Sequence, residues 1–515
     1  MKRILAMLLA VAMILIVVLM AGCNKVEETT TGANGTSATT GTAATTGGNE
    51  STTASDTTGS EHTTESIPTE PDGTGPLANY EDATFAGATI TIAGMKGGSG
   101  GESWDNADEI YSDGADSVSV AIRNRNNIMK TLYQVEIKLV TASDPGTLAS
   151  NDIAGNTHTL DIYSSQYNDY ARATNGKNYN LYDLGLNLEN PWWDQQWVNT
   201  YTIKNSNGHN TLYSVVGDFA IRTYEATHVI MFNKTVMENS PITEDVYELV
   251  KENKWTMDKF AEMIRLAATE NSGNDKLAYS EGDIMGWVRT GHATHGMHVA
   301  SSLPIFANND GVLSLEAQND PDTWVSIIDK AIEIWNTPGS ETLAYNYVRN
   351  ALQNDQTLFA SEVLLIMKLM ADTDSATFGL LPYPKYSESQ ENYAHYVDNH
   401  LHSYSIPISV PNPETVALFF ELYAYHSRYL VRSQWIDAYS YEFCGDLESS
   451  EMLSVILDSR TYDPGYLFWP GNFEGEFSGM ISNGKNNISQ WVNRRATTAA
   501  QNITGLVSAI SDNQY

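Results

Sequence analysis

His292, His295 and His298, spaced three apart in HATHGMH, could in principle hold a metal, because imidazole is the commonest side-chain ligand for zinc. His395, His400 and His402 follow later in the chain. Helical residues three and six apart rotate progressively away from one face, and no cysteine accompanies these. Exposed loop histidines are therefore the simpler expectation, and neither a metal nor a cofactor is assigned. The chain carries 63 Asp and Glu, so the carboxylate pair that a glycosidase needs, about 5 or 6.5–9.5 Å apart, can always be proposed and carries no weight alone. No His-Glu-x-x-His helix occurs, which excludes one hydrolase class. Other hydrolases stay open beside recognition, for which 28 Tyr and 11 Trp supply flat apolar faces, and Asp, Glu and Asn supply hydrogen-bond acceptors.

Side chains of these types need elements to hold them. ATITIAG (88–94) alternates apolar and polar residues and ends in glycine, a strand signal. VEIKLV (135–140) and LDIYSS (160–165) read as two more strands. The segment SVSVAIRNRNNIMKTLYQ between the first two fits a helix through Val118, Ile122, Ile128 and Leu132. This order argues for a parallel sheet flanked by helices, whose ligands collect at the carboxyl ends of the strands. That rule marks Trp104, after the first strand, and Tyr167, just beyond the third. The glycine-rich loop MKGGSGGESWDNADE lacks both the dinucleotide spacing and the Lys-Ser/Thr of a phosphate cradle.

Farther on, THVIMFNK (227–234) reads as a strand. WTMDKFAEMIRLAATE places Phe260, Met263, Ile264 and Ala267 at helical spacing behind a Thr256 cap. DTWVSIIDKAIEIWN repeats that pattern through Trp324, Ile327, Ile328, Ala331 and Trp335. LLIMKLM, FGLLPYPKY and SYSIPISVP give short apolar runs. PETVALFFELYAYHSRYL and residues 487–510 read as helices.

Residues 1–22 have a charged start, an apolar run from Ile4 to Met20 and small residues before Cys23, the layout of an export signal. A transmembrane anchor is the alternative, since the run approaches the ~20 residues that span a bilayer. LMAGC (19–23) resembles the lipobox of bacterial lipoproteins, with Met20 where leucine is commoner; the resemblance implies that Cys23 is lipidated and becomes the new N-terminus. Residues 23–84, rich in Thr, Gly and Ser, have too little apolar surface to fold and are expected to be a disordered tether. Against 29 Lys and Arg, the acids leave a formal charge of −34, which argues against nucleic acid as a partner. With Cys23 lipidated, Cys444 has no disulfide partner and is expected to be a buried thiol.

NPWWDQQWV (190–198), LYSVVGDFAI (212–221), VIMFNK (229–234), ELVKENKWTMDKF (248–260) and GLLPYPKYSESQENY (379–393) occur in an order that resembles the extracellular solute-binding proteins of the family-one type. These are found as lipoproteins of Gram-positive bacteria that feed ABC importers, and the resemblance covers roughly Phe85 to the C-terminus. It implies an α/β, two-lobed clamp, each lobe a mostly parallel sheet flanked by helices, joined by hinge crossovers near Arg222 and His400. Lobe one is expected over 85–222 and 401–439, lobe two over 223–400 and 440–515. The implied function is capture of a solute, a carbohydrate by the family's habit, by a monomer tethered through lipid to the outer face of the cell membrane. Delivery is to the importer's permease subunits, without catalysis. The ligand-contact candidates are Trp104, Tyr167, Asp218, Arg222, Trp287, Asp398, Asn399 and Trp469. A surface-anchored carbohydrate hydrolase is the main alternative; a metal-binding lipoprotein and an adhesin are lesser ones.

Overall fold

A computed structural model describes residues 80, 82–98, 104–166, 176–370, 378–469 and 473–512. The export signal, Cys23, almost all of the tether and Tyr167 lie outside the described residues. Strand β1 (Thr89–Met95) leads through the short helix α1 (Ala107–Ile110) into α2 (Ser117–Tyr133). Asp116 caps α2 by accepting from Ser119 N at 2.9 Å, and Gln134 ends it in the left-handed region. Strand β2 (Glu136–Ala142) follows, then α3 (Pro145–Gly155), capped by Asp144 with Pro145 in its first turn, and β3 (Ile162–Ser165). β1 lies between β2 and β3 and is parallel to both, in register Thr89↔Glu136 and Ile92↔Ile162.

The chain then passes through α4 (Ile221–Glu225) into β4 (His228–Asn233), α5 (Met257–Ala267), β5 (Met285–Arg289) and α6 (Ala293–Val299). Next come α7 (Pro321–Trp335), β6 (Ser340–Thr342), α8 (Tyr345–Gln353), β7 (Thr357–Val363), α9 (Leu365–Leu369) and β8 (Phe378–Leu381). These strands form a second sheet in the order β6-β5-β7-β4-β8; β4 is antiparallel to both its neighbours, so the other four share one direction. Both faces of β4 are buried. Ile230 and Phe232 enter the core built on α5 and α7, while Val229 and Met231 enter a core on the opposite face with α8 and α9. The stripe of α5, Phe260, Met263, Ile264 and Ala267, is buried, as is that of α7. α5 lies so close to β5 that a Cβ at Gly286 would run into the Ile264 carbonyl, which is why glycine stands there.

Strand β9 (Ser403–Ser405) returns to the first sheet, antiparallel to β3, giving the order β9-β3-β1-β2. Helices α10 (Pro413–His426), α11 (Ser433–Ala438), α12 (Leu447–Asp458), α13 (Pro464–Phe468) and α14 (Ile488–Asp512) complete the chain. Trp435 of α11, Ile122 of α2 and Ile221 of α4 join the core on the second sheet's α8 and α9 face, so helices that follow each sheet meet there. Cys444 is a buried free thiol, pushed up to about 12 by burial. The apolar run LLIMKLM is largely helix α9. The histidine expectation is corrected: His295 and His298 are buried on α6 instead of exposed on a loop. No described helix is long and apolar enough to cross a membrane.

Candidate functional site

The carboxyl ends of β1, β2 and β3 share one edge of the first sheet, and Ser403, which starts β9, pairs there with Ser165. On the second sheet, His228 at the start of β4 pairs with Val363 at the end of β7, and Arg289 at the end of β5 pairs with Ser361. Residues 398–402 carry the chain from one edge to the other. Asp398 N donates to Ala226 O at 2.9 Å at the start of that link. The strand ends where α/β sheets gather ligands therefore meet at the crossovers.

Arg222, on α4, ties the two sides. Its Nε donates to the Asp105 carbonyl at 3.0 Å, its Nη2 to Asp108 at 2.8 Å and its Nη1 to Glu225, while its backbone N donates to the Glu109 carboxylate. Burial works against its charge, but Glu225 and Asp108 outweigh that and hold the guanidinium protonated. Glu225 also accepts from Trp435 Nε1 at 3.3 Å and Tyr439 Oη at 3.1 Å; against burial, Arg222 and Lys368 keep it ionised. Glu109 behaves in the opposite way. Burial pushes it up to about 8 despite Arg222, so near neutral pH it carries a proton. A cavity of about 100 Å³ opens here, with Asp108, Asp116, Lys368, Arg222, Glu225 and Trp435 in its wall. A larger recess of about 400 Å³, lined in part by Gln196, Tyr393 and Arg460, lies away from this point, and its Arg460 is already paired to Asp194 at 2.9 Å.

Beside Arg222, Asp398 collects histidines. His400 Nδ1 lies 2.5 Å from Oδ1, His228 Nε2 3.3 Å from Oδ2, and His292 Nδ1 3.6 Å from Oδ2. Burial would raise the carboxyl, but hydrogen bonds and charge from His228 and His400 dominate and hold it far below the usual range. The Trp104 indole stacks on the His400 ring, and the Trp104 carbonyl accepts from His402 Nε2 at 3.0 Å. Among the described residues, no set of His, Cys, Asp and Glu side chains is arranged to hold a metal ion.

Of the residues singled out from sequence, Trp104, Arg222, Asp398 and Asn399 come together at the crossovers. Asp218 is buried, bonded to Tyr224 Oη and to Arg428 at 3.0 Å, with burial raising its carboxyl; it serves an internal ion pair. Trp287 is fully buried, its Nε1 donating to Ser361 Oγ at 2.8 Å and its face covered by Arg289 at 4.1 Å. The Trp335 ring also lies 3.8 Å from that guanidinium, perpendicular to Trp287, and Trp335 O, at the carboxyl end of α7, accepts from it at 2.6 Å. Trp287 thus takes the packing role. Trp469 lies partly buried against Phe306, 4.8 Å between centroids, beside Phe473. Sequence reasoning missed Glu109, His228, His292 as a partner of Asp398, Lys368 and Trp435. The only local signal was the proximity of Arg222 and Asp398 to the expected crossovers.

No family model matches the chain, and no curated protein does. Among solved structures it is similar to the galacto-N-biose/lacto-N-biose I-binding protein of an ABC transporter from Bifidobacterium longum, at 12% identity and a TM-score of 0.49 over 82% of this chain and 98% of that one. It is also similar to a cyclic α-maltosyl-1,6-maltose binding protein from Arthrobacter globiformis, at 13% identity and TM-score 0.48 over 82% and 98%. A third is an ABC transporter solute binding protein from Agrobacterium vitis S4 with bound D-mannitol, at 12% identity and TM-score 0.44 over 81% and 99%.

Proposed function

We propose that this chain is an extracytoplasmic solute-binding protein that captures a carbohydrate between two lobes and hands it to the permease of an ABC importer, without chemistry on the solute. In this reading lobe one is 85–222 with 401–439 and lobe two is 223–400 with 440–515. The observation that carries it is the meeting of two sheets' ligand-gathering edges at chain crossovers. The polar groups there, Arg222, Asp108, Lys368, Asp398 and His292, include both donors and acceptors, and Trp104 and Trp435 supply ring faces. Contacts to a solute made only when both edges approach would shift the lobes toward closure. Tyr167, Asn399 and Trp469 stay in the proposed contact set. Cys23 is proposed as the lipid attachment point that holds this monomer at the outer face of the membrane.

Titration calorimetry of residues 82–515 against D-mannitol, maltose, maltotetraose and lacto-N-biose, with chromatography of each sugar afterwards, tests the reading. Heat with unchanged sugar supports it. Cleaved sugar replaces it with the hydrolase reading, and no heat with any neutral sugar removes carbohydrate as the solute class.

A further inference from the structure

Trp287, the aromatic residue at the ligand-gathering end of β5, is fully buried, so the second sheet's edge needs another ring if it is to meet a sugar face. That edge is sharply defined. β6, β5 and β7 lie side by side and parallel, with Thr342, Arg289 and Ser361 level across them. Beyond that line the three strands lead to exposed side chains: Tyr345 after β6, His292 after β5 and Lys368 after β7, which are 39%, 54% and 46% exposed. Leu343 N donates to the Arg289 carbonyl at 2.8 Å, which keeps the chain after β6 alongside the end of β5. Tyr345, the first residue of α8, therefore starts at this edge.

α8 carries two exposed tyrosines near its start, and residues two apart on a helix do not share a face. Tyr347 lies against Tyr279, ring centroids 6.2 Å apart. Tyr345 has different company. Burial pushes its phenol up to about 12, and the charged groups acting on it are Glu362, at the end of β7, and Arg349, one helical turn on. Burial raises the Glu362 carboxyl in turn, and His228 and Asp398 are among the groups acting on it. Tyr345 thus stands one side chain outward from the Asp398 cluster, with its hydroxyl end sheltered and its ring as the exposed part. A ring left open forgoes the stabilisation that burial would bring, and contact with a solute supplies it.

We propose that Tyr345 is a solute-contacting residue whose ring takes the C–H face of a pyranose while the polar groups of the edge meet its hydroxyls. This rests on the carbohydrate-capture reading and adds its selectivity. A pyranose holds several C–H groups on one fixed face, which suits an aromatic ring. An acyclic polyol has no fixed face and loses chain freedom on being held flat. Ring sugars are therefore favoured over alditols.

The test is titration calorimetry of residues 82–515 with maltose, maltotetraose, lacto-N-biose and D-mannitol. Tyr345→Ala is expected to weaken the tightest-bound pyranoside by about tenfold, in the range of a lost aromatic stack. Tyr345→Leu, which keeps apolar bulk without a ring face, should weaken it similarly, and Tyr345→Phe, which restores the ring, should recover most of the loss. Tyr347→Ala is expected to leave affinity within about twofold, the stack being confined to one face of α8. Unchanged affinity in Tyr345→Ala, an equal loss in Tyr345→Phe or an equal loss in Tyr347→Ala overturns the inference while leaving sugar capture intact. So does a wild type that takes D-mannitol and no pyranoside. A wild type that binds no sugar overturns sugar capture itself, and the inference with it.

Discussion

Trp104 lies flat against His400, ring centroids 5.0 Å apart and planes 20° from parallel, and its own carbonyl is held by His402. A residue from the loop after β1 is thereby fixed to the link that joins the sheets. Aromatic pairs of this kind contribute about 0.5–1.5 kcal/mol beyond their area. Trp104→Ala is expected to lower stability by about 1 kcal/mol in urea titration and to weaken sugar binding by more than the surface control Lys251→Ala. Equal binding effects would take Trp104 out of the contact set.

Arg222 is the buried cation of the crossover, and its loss would strand Glu225 with only Lys368 at 4.0 Å nearby. Removing one partner of a buried pair typically costs about 3–5 kcal/mol, whereas removing both charges with shape kept costs much less. Arg222→Met is expected to lose stability in that range. Arg222→Met with Glu225→Gln should recover part of it, because the amide oxygen still accepts from Trp435 and Tyr439. Denaturant midpoints of the single and double variants decide; a double variant no better than the single would show that charge burial is not the issue.

Elements with strong periodicity were legible from sequence because their burial is one-sided. The stripe of α5 and the stripe of α7 point to one core. β5 and β7 were not legible, since both are buried along their whole length and show no alternation. Trp287 shows the limit of reasoning from strand ends. It does sit near the end of β5, but its ring lies on the packed face, where Arg289 bridges it to Trp335. The Asp398 cluster was hidden for a different reason: His228, His292 and His400 are far apart in sequence and meet only through the crossover. Trp287→Phe is accordingly expected to lower the melting temperature and leave sugar affinity within about twofold, the Arg289 stack being an interaction of order 1 kcal/mol. A selective loss of affinity would return Trp287 to the site.

Stability should peak between about pH 6 and 7, because buried histidines and buried acids pull in opposite directions. Burial lowers His298 and His426 to about 4 and His395 and His402 to about 3 from the ordinary 6.5. These stay neutral when folded and take up protons on unfolding, so stability falls as pH drops from about 6.5 toward those values, by up to about 1.4 kcal/mol per unit for each. Burial raises Glu109 from 4.5 to about 8 and Asp463 from 3.8 to about 7. Those protons are held when folded and released on unfolding, so above pH 6.5, where the histidines no longer contribute, stability falls as pH rises to about 8. Melting temperatures from pH 4 to 9 check both limbs. Glu109→Gln should flatten the alkaline limb, and an unchanged limb would assign it to other groups.

The two sheets' surroundings also touch away from the crossovers. Asp194, which caps the helix Gln195–Tyr201, pairs with Arg460 at 2.9 Å and accepts from Tyr462 Oη at 2.8 Å. The hairpin strand Phe306–Asn309 adds Asn308, whose Nδ2 donates to the carbonyls of Thr200 at 2.9 Å and Thr202 at 2.8 Å, and Lys204 pairs with Asp310 at 2.5 Å. Residues 194–204 connect to β9 through the Val215–Tyr404 bridge and so to the first sheet, while Arg460 and Asn308 follow strands of the second. The contacts therefore restrain how far the sheets can part. The Lys204 pair involves an Asp310 that is 92% exposed, so it adds little. The Arg460 guanidinium is only 10% exposed and lies 4.5 Å over the Tyr224 ring, so its charge works in a drier setting. Arg460→Met, which keeps the bulk over Tyr224 but drops the charge, is expected to shift the open fraction by tenfold or more, about 1.4 kcal/mol. Small-angle scattering should then show a larger radius of gyration without sugar, returning to the wild-type value when sugar is added. The same radius in variant and wild type would mean that the crossovers alone set the separation.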